Sequence, residues 1–189
     1  MKMELEAMAL EMPEVQGHPN RLPFHGVLTL VGIPSRRAPS GAGSHRVMLT
    51  RKATETALPS LLGMALDYAP ALNAHDARRK IGVITEADIA VLRPGSADPA
   101  AQVTVQGYLY EHDFPDVVGE LRAGDDALGM SYEITAVEVV SKSSPIWTVT
   151  SFTFTGAAVL RRDKAAYPET RFAVEQESSK SSAPAEVAA

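Results

Sequence analysis

Apolar and polar residues alternate most cleanly over Val103–Tyr110 (VTVQGYLY), the period of two expected of a strand with one buried face. Val27–Ile33 (VLTLVGI) is apolar and rich in β-branched residues, and also predicts a strand. Ile81–Leu92 predicts another, interrupted by the charged stretch TEAD. Leu128–Val140 and Trp147–Leu160 predict two more, separated by the turn SKSSP. Helical signals are short. Thr50 can cap a helix running through Lys52, Glu55 and Leu58. Pro59 sits badly inside it, so either two short helices or a break is expected there. Leu61, Leu62, Met64, Ala65 and Leu66 give the second part an apolar face. Asp113 as cap, Pro115 in the first turn and Gly124 as terminator describe one more. At least five strands with short helices and no β–α–β alternation predict a mainly β chain, a mainly antiparallel sheet or barrel with helical excursions.

Punctuation by Pro, Gly and Ser sets the domain limits. Gly17, Pro19 and Pro23 make residues 1–24 a loose N-terminal arm. One domain is expected over 25–172, with Asp163–Tyr167 as its last ordered piece. Residues 173–189, ending in EQESSKSSAPAEVAA, lack core-forming side chains and read as a disordered tail. Within the domain, residues 34–45 (PSRRAPSGAGSH) form a long loop, read as a flap beside a site.

Composition narrows the function. A net charge of -5 gives no positive field to draw the chain to nucleic acid, so Arg36–Arg37 and Arg78–Arg79–Lys80 read as solvated surface. With no cysteine, disulfide scaffolds, thiolate zinc sites and cysteine nucleophiles are excluded together. No apolar run reaches the roughly 20 residues that span a bilayer, and Met1–Met12 lacks the pattern of a signal peptide. A soluble, intracellular protein with no membrane or nucleic-acid partner is the expectation.

A covalent hydrolase without cysteine uses Ser or Thr, activated by a base, and histidine is the best base near neutral pH. The five histidines are His18, His25, His45, His75 and His112. His75 sits in a polar segment just before a strand, and His112 just after one, where side chains reach a sheet rim. Each is otherwise a surface or capping residue. Ser131, in ALGMSYEI, lies inside a predicted strand beside Gly129 and Met130, and is either a small core filler or an exposed nucleophile. Glu111, His112 and Asp113 mimic a metal cluster, but adjacent strand residues point to opposite faces, so no metal is expected. SGAGSH lacks the Gly-Lys-Ser/Thr of a phosphate loop.

Three stretches carry a family resemblance: NAHDARRKIG, VTVQGYLYEHDFPDVVGELRAGDDALGMSYEI and FTFTGAAVLRRDKAAYPET. In order and spacing the chain resembles the phage prohead maturation proteases, distant relatives of the herpesvirus capsid protease, over roughly residues 25–172. The resemblance implies a partly closed β-barrel with helices packed around it, a nucleophile at Ser131 and a base at His75. The family places an acid or a second histidine on the strand after the nucleophile. Here that strand reads WTVTSFTFTGAAVL, and the positional match is Thr155, which can hold the imidazole tautomer but not stabilise imidazolium. Asp76 and Glu138 are alternative orienting groups. Arg161 and Arg162 follow the closing strand, where relatives place an arginine pair, and are assigned to oxyanion support. The resemblance further implies an endopeptidase without cofactor. It would cut phage scaffold and major capsid proteins, and itself, inside the assembling prohead in the host cytoplasm. Relatives act as dimers or within larger assemblies. The alternative reading is a catalytically weak or inactive capsid assembly or scaffolding protein with the same fold.

Overall fold

The computed structural model describes residues 8–9, 18–92 and 100–175. Nine strands among the described residues form one sheet: β1 (Met8–Ala9), β2 (Leu22–Val31), β3 (Arg46–Leu49), β4 (Ala65–Tyr68), β5 (Lys80–Val91), β6 (Ala101–Leu109), β7 (Leu128–Val139), β8 (Ile146–Arg161) and β9 (Arg171–Val174). Two helices, α1 (Arg51–Ala57) and α2 (Pro115–Gly124), and short 3-10 turns at Leu58–Leu61 and Asp125–Ala127 complete it. The chain is therefore mainly β with few short helices, as its alternation predicts.

The sheet runs β3-β8-β4-β5-β6-β2-β9, with β7 on the other edge of β8. Most pairs are antiparallel, but β3 and β4 both run parallel to β8. The sheet is thus mainly antiparallel, as expected, with two parallel pairs that the sequence did not predict. The reason is the path of β3, α1 and β4. β3 pairs with Arg46↔Ile146 to Leu49↔Val149, and β4 with Leu66↔Ala157 to Tyr68↔Val159, along one edge of the 16-residue β8. α1 and its 3-10 turn carry the chain between these two stretches. Ser60 Oγ there accepts the Phe154 N–H, which the gap between β3 and β4 leaves without a strand partner.

Thr50 caps α1 as predicted, its hydroxyl accepting the Ala53 N–H. Pro59 converts the next turn to 3-10, and Leu58 and Leu61 are buried from it. Of the two outcomes expected at Pro59 the break is the one found, and no second α-helix follows: Ala65–Tyr68 is strand β4. Its burial against β8 outweighs the weak helical periodicity of a few apolar residues.

The sheet is curled into a half-barrel. β7, at one end of the curl, leans on β2 and β9, at the other. The Met130 N–H donates to Thr170 Oγ1 at 3.2 Å, and Phe24 of β2 stacks on Phe172 of β9 with ring centres 5.3 Å apart. A Cβ on Gly26 would lie 2.5 Å from the Met130 sulfur, so this approach needs a glycine. Leu28, Leu49, Leu66, Ile81, Ile84 and Leu109 are fully buried in the core, each contributing roughly 1.5–3 kcal/mol.

Two limits of the sequence reading move. Met8–Ala9 pairs with Ala87 and Glu86, and β2 begins at Leu22, so strand structure enters the expected 1–24 arm. Ordered structure continues past Tyr167 into β9, which pairs with β2 from Val27↔Arg171 to Phe24↔Val174. The expected disorder of the tail falls, from residue 176 onward, outside the described residues.

Candidate active site

Three adjacent strands bring the chemistry together. Asp67 of β4 is in register with Ala158 of β8, and Ala158 with Ser131 of β7. Paired residues on neighbouring strands project from the same face, so Asp67 and Ser131 share one, about 10 Å apart at Cα. Glu133, two residues beyond Ser131, belongs to that face too, opposite Gly156. Between them β8 presents only Gly156 and Ala158, a floor of small residues. His75, from the loop between β4 and β5, lies across this floor. Its Nδ1 is 3.5 Å from Asp67 Oδ1 and 3.9 Å from Glu133 Oε1. The Glu133 carboxylate is seated directly on Gly156, where a Cβ would meet Oε2 at 2.7 Å.

Asp67 is 1% exposed. Oδ1 accepts the Asp76 N–H at 3.2 Å, and Oδ2 takes Lys80 Nζ at 3.3 Å. Burial alone would raise the Asp67 pKa. The adjoining His75 and Lys80 outweigh it and hold the carboxyl below its ordinary value. The site therefore carries a buried, ionised carboxylate against one imidazole nitrogen. That nitrogen, Nδ1, faces both carboxylates, which leaves Nε2 as the nitrogen available to a nucleophile. Both ring nitrogens are buried without a hydrogen-bond partner, so no hydrogen bond joins His75 to Ser131 here.

His75, Ser131 and Thr155 all line one cleft of about 970 Å³, with Arg37, Asn73 and Lys164 farther round its wall. Five consecutive residues of β7, Ser131–Thr135, line it. Side chains of a strand alternate between faces, so a consecutive run means that the cleft follows the strand's edge. Among the described residues β7 pairs only with β8, and this other edge is unpaired. Arg37–Ala42, from the glycine-rich loop, border the same cleft, where the sequence placed a flap.

The remaining candidates do not contact the His75 ring. Thr155 sits, exposed, at the bulge where Glu133↔Gly156 gives way to Ile134↔Phe154, and the carboxylates against His75 are those of Asp67 and Glu133. Asp76 contributes its main-chain N–H, while its carboxylate turns to Arg78, whose hydrogen bonds hold it down to about 2. Glu138 is exposed farther along β7. Arg161 and Arg162 do not line the cleft. Arg161 pairs with Asp163, and Arg162 donates to the carbonyls of Pro168 and Asp126. The oxyanion support expected of them, directly or through their loop backbone, would come from where β7 and β8 pair Arg161 with Leu128, three positions along β7 from Ser131.

Sequence reasoning missed Asp67 because Leu61–Leu66 reads as a helix that would end before it. The available signal was an acid embedded in the apolar run ALDY, where a charge is buried only with partners.

Fold and site define a mainly β, half-barrel protein with a Ser, His and Asp face opening on an edge cleft. The chain belongs to the YonD N-terminal domain family, whose model matches residues 63–188. That match covers Asp67, His75 and Ser131, and leaves β1–β3 and α1 outside it. No curated protein and no solved structure matches the chain.

Proposed function

We propose that this protein is a serine endopeptidase of the prohead-maturation type, with a barrel like that of the herpesvirus capsid protease. The observation that carries the reading is His75 held across β8, one nitrogen against buried Asp67, in the cleft that Ser131 lines. In this reading Asp67, rather than Thr155, is the orienting acid. Ser131 Oγ attacks the scissile carbonyl and its proton passes to His75 Nε2. Asp67 holds the tautomer with the proton on Nδ1 and stabilises the imidazolium that forms. The imidazolium then protonates the leaving amine, and water releases the acyl group by the same path. Oxyanion donors are sought along the unpaired edge of β7, where main-chain N–H groups have no strand partner. An edge cleft suits an extended polypeptide, and the substrates in this reading are scaffold, capsid protein and the chain itself.

A second reading, a protease-like assembly protein without catalysis, draws on the absence of any hydrogen bond to the His75 ring. Co-expression with scaffold and capsid partners, comparing wild type with Ser131→Ala by intact mass, separates the two. Shortened products from wild type alone support the peptidase. Identical unprocessed masses, with assembly still dependent on the protein, support the structural role.

A further inference from the structure

Two carboxylates, Asp67 and Glu133, face a single imidazole nitrogen in this site. A protonated His75 cannot accept the Ser131 proton. Among the described residues one cation contacts this pair of carboxylates. Lys80, the first residue of β5, is in register with Asp67 and places Nζ 3.3 Å from Oδ2. Oδ1 is thereby left to the Asp76 N–H and to His75. Glu133 Oε1 lies 3.9 Å from His75 Nδ1. The other charges nearby are turned away: the Asp76 carboxylate is engaged by Arg78 and Arg79, and β8 supplies only Gly156 and Ala158 beneath the ring.

We infer that Lys80 is a positioning residue for the proposed hydrolysis, dividing the charge of Asp67 so that His75 stays neutral and able to act as a base. The inference rests on the peptidase reading. Its physical content is a coupling through one shared carboxylate. Lys80 fixes which oxygen faces the ring, and its positive charge opposes a second positive charge on the imidazole across the same group. Its side chain is 38% exposed, so solvent screens part of the effect without removing it.

The test uses Lys80→Gln, which keeps an N–H donor without the charge, alongside Lys80→Met and Lys80→Arg. Two quantities are followed against pH in the full chain: the rate of Ser131 labelling by a fluorophosphonate, and the ring-proton resonance of His75. In the Gln and Met variants both midpoints move up by about one pH unit, so labelling falls about tenfold near the wild-type midpoint and recovers at alkaline pH. Lys80→Arg restores the wild-type profile. A uniform loss of labelling with unmoved midpoints, in variants whose urea midpoints show them folded, means a merely structural lysine and overturns the inference. Absence of labelling in wild type at every pH, with the His75 resonance still moving in Lys80→Gln, sinks the peptidase reading and leaves the coupling standing.

Discussion

Asp67→Asn removes a buried charge while keeping nearly the same shape, which makes it a direct probe of the site. In the folded protein the carboxylate accepts the Asp76 N–H and a Lys80 ammonium, and abuts His75. An amide in its place puts two N–H donors among groups that are themselves donors. One oxygen cannot satisfy Asp76 and Lys80 together. Breaking a fully buried pair costs about 3 kcal/mol, and the partial exposure of Lys80 lets its ammonium reach water, reducing this to about 2 kcal/mol. The pH dependence has a definite sign. Because the folded Asp67 carboxyl is held below its ordinary value, its stabilising contribution is present above pH 3.8 and is lost as pH falls through the lower folded value. Urea unfolding of wild type and Asp67→Asn should therefore differ by about 2 kcal/mol at pH 7 and converge in acid. If the peptidase reading holds, fluorophosphonate labelling of Ser131 falls by about 10³–10⁴, because the amide selects the wrong tautomer. Unfolding curves that coincide at pH 7, with unchanged labelling, would refute the assignment of Asp67.

Four further outcomes follow from the same structure. Gly156→Ala places a methyl 2.7 Å from Glu133 Oε2, so it displaces that flexible carboxylate; labelling should then depend less on any Glu133 substitution, in a double-mutant cycle. Thr155→Val, at an exposed bulge, should leave labelling by a small fluorophosphonate within about twofold of wild type and stability within about 0.5 kcal/mol, read by urea melts. Gly26→Ala drives a Cβ against both the Met130 sulfur and the Arg171 carbonyl, at 2.5 and 2.7 Å, and should destabilise the protein by about 2 kcal/mol in the same melts. Burial pushes the Tyr132 hydroxyl up to about 12 and raises Tyr167 as well. Each therefore contributes stability below pH 10 that is lost as pH rises through the folded value, and Tyr132→Phe should flatten the alkaline fall in unfolding midpoint between pH 10 and 12.

Local pattern determined much of this protein. The alternation of VTVQGYLY, the run of β-branched residues in β2, the Thr50 cap and the break at Pro59 each act over a few neighbouring residues, and each appears where the chain places it. Ser131 and His75 were also readable as candidates, since few residue types can serve as nucleophile or base in a chain without cysteine. Tertiary structure alone decided the rest. That β3 and β4 run parallel to β8 depends on which edge of a long strand remains free, a property of the assembled sheet. The pairing of Ser131 with Asp67 crosses two strand interfaces and 64 positions of sequence, set by register through Ala158. Asp67, in a short apolar stretch, reads locally as part of a helix end. Only the fold takes water from its carboxylate and puts Lys80, His75 and the Asp76 N–H in that water's place.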